Sequence, residues 1–238
     1  MNLTPLLCIP PAGAGASFFR TWKGHEGPLE PCGLHLAGRE RRFAEDPLND
    51  MNAIVDDVLP EALELAGDAA EVVVFGHSFG ATVAYELTRR FAAAPGRSAG
   101  LRLVVSGSAA PGAQLYAPIA DLPDDAFVPA IRSIAGYEHP AMDDPDLLEL
   151  ILPALRADMS VHETYRPRPG QPLDIPVLSL RGASDALVSA EAAAAWAEIT
   201  TGPFGAAELP GGHMYLVDDP ETLLRTMVAL VVDAEGAE

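Results

Sequence analysis

Hydrophobic positions along the chain fall into short continuous runs separated by longer periodic stretches. Leu6-Leu7-Cys8-Ile9, Val72-Val73-Val74-Phe75, Leu101-Arg102-Leu103-Val104-Val105 and Ile175-Pro176-Val177-Leu178-Ser179-Leu180 are each bounded by Gly, Pro or polar residues. Runs of that length and punctuation predict strands covered on both faces, as in a parallel sheet. Two further strands are expected over Gly33–Ala37 and around Ala207-Glu208-Leu209. Between them the pattern predicts helices near Leu48–Leu65, after Gly80, and from Asp219-Pro220-Glu221 to the C-terminal region. Strand and helix alternate, which predicts an α/β class with a mostly parallel sheet and helices on both faces.

The rhythm breaks between about Ala113 and Arg168. No strand is convincing there, and Asp124–Ile134 and Asp146–Met159 read as helices. Leu147, Leu148, Leu150, Ile151, Leu152, Leu155 and Met159 make an apolar face wider than one stripe. Pro153 is expected to kink or restart that helix. An insertion between two sheet strands with surplus apolar residues predicts a lid over a cleft, with Leu155 and Met159 extending the apolar face past the proline toward an acyl channel. Residues 1–238 are expected to form one domain carrying this insertion.

Chemistry enters with Gly76-His77-Ser78-Phe79-Gly80, which follows the Val72–Phe75 run and precedes a helical stretch. A G-x-S-x-G turn between strand and helix lifts a serine hydroxyl out of the sheet plane. A serine is a poor nucleophile at neutral pH, so it requires a histidine base and a group that orients the histidine. The chain has six histidines. His213 lies in Leu209-Pro210-Gly211-Gly212-His213, on a loop after the last expected strand and before the C-terminal helix. His77, beside the serine, should point away from it. His25, His35, His139 and His162 lack a comparable context. The acid is expected at Asp185, on the loop after the Ile175–Leu180 strand, where open α/β sheets place their sites. The preceding strand ends in Ser106-Gly107-Ser108, which offers no carboxylate, and Asp218 and Asp219 lie on the wrong side of the histidine. The order Ser78, Asp185, His213 is that of the α/β-hydrolases.

An oxyanion hole needs two backbone N–H groups. One is expected from Phe79. The other should come from the loop Pro10-Pro11-Ala12-Gly13-Ala14-Gly15 after the first strand, at Ala12 with Gly13 the alternative. The spacing of these glycines does not make a dinucleotide fingerprint, and no cofactor or metal is expected.

Composition narrows the partners. Of 238 residues, 49% are hydrophobic, and the formal net charge is −19. That charge argues against nucleic acid and anionic membranes. No apolar run is long enough to span a bilayer, and the N-terminus is a poor signal peptide. Two cysteines, Cys8 and Cys32, do not make a disulfide framework. A cytoplasmic, monomeric enzyme is the expectation.

Several segments together resemble a known family, the type II thioesterases that edit polyketide and nonribosomal peptide assembly lines. Pro10-Pro11-Ala12-Gly13-Ala14-Gly15 is similar to the family's Pro-His/Tyr-Ala-Gly-Gly loop, and Phe18-Phe19-Arg20-Thr21-Trp22 to its Phe-x-x-Trp segment. Leu36-Ala37-Gly38-Arg39-Glu40-Arg41-Arg42 resembles Leu-Pro-Gly-Arg-Glu-x-Arg. Leu152-Pro153-Ala154-Leu155-Arg156-Ala157-Asp158 resembles the Leu-Pro-x-Leu-Arg-Ala-Asp lid segment, and Gly211-Gly212-His213 the histidine loop. Pro11, Ala14 and Ala37 depart from the family pattern, and Pro11 removes one backbone N–H. The resemblance implies an α/β-hydrolase fold, a Ser78–Asp185–His213 triad and hydrolysis of acyl thioesters on the phosphopantetheine arm of acyl or peptidyl carrier proteins. Carriers are themselves acidic, so docking would use local patches. Arg39, Arg41 and Arg42 form the densest basic group, and Arg156, Arg166 and Arg168 a looser one; each is more simply a solvated face. A carboxylesterase or acyltransferase acting on small free substrates is the alternative.

Overall fold

Strand alternation sorts the apolar runs onto two sides of one sheet. A computed structural model describes residues 3–94, 100–113, 115–135, 142–168 and 170–231. Its strands are β1 (Thr4–Ile9), β2 (Leu29–Gly33), β3 (Glu71–His77), β4 (Gly100–Ser106), β5 (Val177–Gly182) and β6 (Phe204–Leu209). They pair in the order β2-β1-β3-β4-β5-β6, with every pairing parallel. Leu7, Ile9, Val72, Val74, Leu103 and Val105 face one core. Their immediate neighbours Leu6, Cys8, Val73, Phe75 and Val104 face the other, as the period of two requires.

Helices α1 (Met51–Ala66) and α2 (Phe79–Ala92) cover the first face. Helix α7 (Pro220–Val231) and a 3-10 turn over Ala16–Trp22 cover the second, where Phe19, Trp22 and Phe75 meet edge to face. The remaining helices are α3 (Asp124–Ala135), α4 (Pro145–Thr164), α5 (Ala190–Ala194) and α6 (Tyr215–Asp218). Side chains cap two of these helices: Asp50 accepts from the N–H of Ala53 at the start of α1, and Asp219 from that of Thr222 in α7.

Two expectations change. The second strand is Leu29–Gly33 rather than Gly33–Ala37. At His35 the N–H turns out of the ladder to the Glu61 carboxylate (3.0 Å), and Pro31 is tolerated because β2 is an edge strand. Helix α4 also runs unbroken through Pro153. That proline lies on the exposed face, where water can meet the carbonyl its missing N–H leaves behind.

Helices α3 and α4 form the insertion between β4 and β5, in the stretch expected to break the rhythm. They enclose a separate apolar cluster of Ile119, Phe127, Ile131, Leu155 and Met159. Arg156 fastens them together: it donates to the carbonyl of Leu122 (2.8 Å) and that of Ala120, pairs with Asp124 (2.6 Å), and lies over the Phe127 ring. Leu147 and Leu150, part of the wide apolar face read from the sequence, are 45% and 48% exposed, because the N-terminal half of α4 projects beyond that cluster. Residues 114 and 136–141 of this stretch, with His139, lie outside the described residues.

Two imidazoles are held neutral inside this frame. His77 is fully buried, with Nδ1 2.8 Å from Ser106 Oγ, which in turn lies 2.6 Å from the Tyr215 hydroxyl. Burial first, and then the neighbouring His213, holds its pKa well below the ordinary value. On α4, His162 pairs with the Tyr116 hydroxyl (2.9 Å), and burial followed by His213 lowers its pKa to about 4. Below about pH 6.5 the unfolded chain protonates both groups while the folded chain does not. Their contribution is therefore present above that pH and is lost as pH falls through it. Urea unfolding between pH 7.5 and 5.5 should show stability falling by up to about 1.4 kcal/mol per pH unit for each imidazole. The double variant His77→Asn/His162→Asn should flatten the profile. An unchanged slope in that variant would contradict the assignment.

Candidate active site

The serine sits where the chain reverses its direction of winding. From β1 the chain moves outward to β2, then returns across β1 to β3. The carboxyl ends of β1 and β3 therefore border a topological switch point, where open α/β sheets form their crevice. The loop after β1 and the turn after β3 meet there. Ser78 has φ +55° and ψ −121°, one of two non-glycine residues with positive φ among those described. Its N–H donates to the carbonyl of Ser106 on β4 (2.8 Å), and its carbonyl accepts from Ala81 (3.0 Å). Both flanking glycines are required by close approach. A Cβ on Gly76 would stand 2.0 Å from the Gly80 carbonyl oxygen, and one on Gly80 would stand 2.5 Å from those of Ile9 and Pro10.

The structure brings together the three residues picked from sequence. His213 Nε2 lies 3.2 Å from Ser78 Oγ, and its Nδ1 lies 2.9 Å from Asp185 Oδ2. The other carboxylate oxygen, Oδ1, accepts from the N–H groups of Leu187 (2.8 Å) and Val188 (3.0 Å). Burial pushes the Asp185 carboxyl upward. The bonds from His213, Val188 and Leu187 outweigh it and hold the pKa below the ordinary carboxylate range. An ionised carboxylate on Nδ1 leaves Nε2 as the lone-pair nitrogen facing the serine, the protonation state a general base requires. Asp218 is exposed and Asp219 caps α7, so neither competes for the histidine.

The loops that carry Asp185 and His213 are stitched to each other. The N–H of Ala183 donates to the Leu209 carbonyl (2.7 Å), and that of Ser184 to the Gly211 carbonyl (2.9 Å). Arg181 completes the support: its Nε donates to the Val188 carbonyl (2.8 Å), its Nη2 to the Asp185 carbonyl (3.2 Å), and its Nη1 pairs with Glu208 (2.5 Å). Arg181 was not picked from sequence. The available signal was a charged residue at the end of an otherwise apolar strand, next to the acid. His77 does point away from the serine, as strand alternation requires, but its ring packs against His213 with centroids 5.0 Å apart.

On the other side of Ser78, Phe79 is buried and opens α2. Ala12 is partly buried and packs against the α3–α4 cluster. The N–H of Gly13, the alternative oxyanion donor, is already engaged by Asp158 Oδ2 (2.8 Å). Leu155 and Met159, expected along an acyl channel, are each 4% exposed inside that same cluster. Leu155 lies directly against Gly13. Asp158 is fully buried and receives Arg39 in a fork, Nη1 to Oδ2 at 2.6 Å and Nη2 to Oδ1 at 2.9 Å. Burial pushes the Asp158 carboxyl up, against the pull of Arg39 and the Gly13 N–H.

The first basic group seen in the sequence is engaged by carboxylates of the same molecule. Arg39 holds Asp158, Arg41 pairs with Glu61 (2.7 Å), and Arg42 pairs with Asp57 (2.6 Å) and Glu45 (2.5 Å). The solvated-face reading fails for Arg39, which is 8% exposed. Among the described residues no group of three or more His, Cys, Asp or Glu is placed to hold a metal ion. Among the same residues no helix is long and apolar enough to cross a membrane.

Chemically, the arrangement can move a proton from a hydroxyl to an imidazole and stabilise the resulting cation. Known proteins resemble the chain over most of its length. The family model described as "Thioesterase domain" matches residues 4–230. The Gramicidin S biosynthesis protein GrsT of Aneurinibacillus migulanus is 34% identical over 93% of this chain and 86% of its own length. Thioesterase PikA5 of Streptomyces venezuelae is 36% identical over 90% of this chain and 75% of its own. The solved structure of BorB, a type II thioesterase from the borrelidin biosynthetic cluster, superposes with a TM-score of 0.85 at 33% identity, covering 95% of this chain and 92% of BorB. The chain belongs to the thioesterase family, built on the α/β-hydrolase fold.

Proposed function

We propose that this chain is an editing thioesterase that hydrolyses acyl groups from the phosphopantetheine arms of acyl or peptidyl carrier proteins. The observation that carries it is the Ser78–His213–Asp185 relay at the switch point, within a thioesterase-family match over nearly the whole chain. Relatives named for gramicidin S biosynthesis and for the borrelidin cluster support the choice of carrier-bound substrates. It works without a resident cofactor, as a monomer in the cytoplasm, meeting carriers transiently. Helices α3 and α4 act as its lid within a single domain.

In this scheme His213 Nε2 accepts the Ser78 proton as Oγ attacks the thioester carbonyl. The N–H groups of Phe79 and Ala12 receive the oxyanion. Asp185 holds the imidazole in its tautomer and stabilises the imidazolium. The C–S bond breaks, and the pantetheine sulfur leaves with the proton from His213. Water, deprotonated by the same imidazole, then releases the acid from Ser78. A thiol leaves readily, so the protein's main task is to stabilise the oxyanion.

Nucleophile and base act as a unit, so Ser78→Ala or His213→Ala should each lower turnover by on the order of 10⁶. Activity of Ser78→Ala above about one per cent of wild type would remove Ser78 as nucleophile. Asp185→Asn should keep the fold but favour the wrong tautomer, lowering turnover about 10⁴-fold. Near-normal turnover in this variant would dismiss Asp185. For the substrate, intact-protein mass spectrometry of acetyl and propionyl carrier protein should show deacylation in preference to the matching oxygen esters. Inertness on every acyl carrier, with brisk cleavage of simple esters, would make the protein a general esterase.

A further inference from the structure

Two elements outside the relay converge on the loop that follows β1. The loop itself is weakly self-supporting. Pro11 has no N–H, Gly13 sits at φ +75°, and the residues are small. Among the bonds within the loop, the N–H of Ala14 donates to the Pro11 carbonyl (3.1 Å). Two further polar groups of the loop are held from outside. Asp158 on α4 accepts the Gly13 N–H (2.8 Å), and Arg39, forked onto the same carboxylate, donates through Nη1 to the Ala14 carbonyl (3.2 Å). Arg39 Nε also donates to the Ala37 carbonyl (3.3 Å), which fixes the guanidinium plane. Glu40, next in sequence, accepts the Ser17 N–H at 3.0 Å and 3.3 Å and the Ser17 hydroxyl. Glu40 is the second non-glycine residue with positive φ (+50°). That conformation is costly for a side-chain-bearing residue and persists where surroundings over-determine it.

We infer that Arg39, Glu40 and Asp158 are positioning residues for the oxyanion hole, a three-point clamp that aims the Ala12 N–H and makes its aim depend on the seating of α4. The inference rests on the serine-hydrolase assignment above. With the Gly13 N–H turned to Asp158, the peptide following Ala12 has a fixed plane, and the Ala14 carbonyl and Ser17 N–H fix the chain beyond it. Leu155 and Asp158, three residues apart on one face of α4, bring an apolar contact and a charge to the same glycine. Withdrawal of α4 would break the Gly13–Asp158 bond and strand Arg39. The hole is therefore assembled only while the helix is seated, which couples binding under α4 to chemistry at Ser78. The surface pairs Arg41–Glu61 and Arg42–Glu45 touch none of the loop groups and are not members.

A positioning role predicts losses in the chemical step. Removing one oxyanion donor lowers rates by about 10²–10³, and misaiming one should cost less. With acetyl-pantetheine as substrate and the full chain as enzyme, Asp158→Asn should slow single-turnover acylation of Ser78 by about 10–100-fold while KM stays within about threefold. Affinity for a trifluoromethyl ketone analogue, whose adduct carries an oxyanion, should fall in parallel. Glu40→Ala, at an exposed position, should slow acylation about 3–10-fold, and Glu40→Gln, which keeps one acceptor for Ser17, should restore most of it. If Asp158→Asn does not fold, the Glu40 pair decides. Folded variants that acylate within twofold of wild type, or that lose only KM, overturn the clamp. Absence of acyl transfer to Ser78 in wild type would instead overturn the serine assignment beneath it.

Discussion

The structure depends on one close approach. At the switch point between β1 and β3 the backbone of the serine turn passes within contact of the carbonyls that end β1, and no side chain fits at Gly76 or Gly80. That contact holds Ser78 in a conformation with positive φ that it would not adopt alone. The strain is local and the support is distributed: parallel pairing on both sides of β3, the start of α2, and a hydrogen bond from the Ser78 N–H to β4. A hydroxyl raised out of the sheet, a helix N-terminus behind it and a loop from β1 in front are consequences of that one crossing.

Around the crossing, two buried carboxylates do different work because their surroundings differ. Asp185 accepts two backbone N–H groups and pairs with one imidazole, so it fixes the ring of His213. Asp158 accepts one backbone N–H and a forked guanidinium, so it ties a helix to a loop. The imidazoles of His77 on β3 and His162 on α4 are kept neutral by burial and by the nearby His213. In a chain of net charge −19 the cations are scarce. Arg39, Arg42, Arg156 and Arg181 are each engaged by carboxylates or carbonyls of the same molecule.

Much of this was legible in the residues because it follows from local rules. The apolar runs marked the strands, the Gly-x-Ser-x-Gly turn after an apolar run marked the serine, and the glycines before His213, after the last strand, marked the imidazole that meets it. Asp185 could be found because the other candidate loop held no carboxylate. What escaped depends on long-range contact. No local pattern distinguishes a buried Arg39 from the exposed Arg41 two residues on, and only the fold shows that Asp158 lies opposite it. Leu147 and Leu150 follow the same apolar period as Leu155, yet α4 outruns the cluster beneath it and leaves them in solvent. The second strand was displaced by four residues because Glu61, far away in sequence, draws the His35 N–H from the ladder.

Seating of an acyl group on one serine is the central claim, and it can be read directly. Wild-type protein mixed with an acyl-pantetheine thioester, quenched in acid during steady turnover and digested, should carry the acyl mass on the peptide containing Ser78, and on no peptide of Ser78→Ala. Turnover with the acyl group on another residue, or with no acylated peptide at any quench time, would contradict the account.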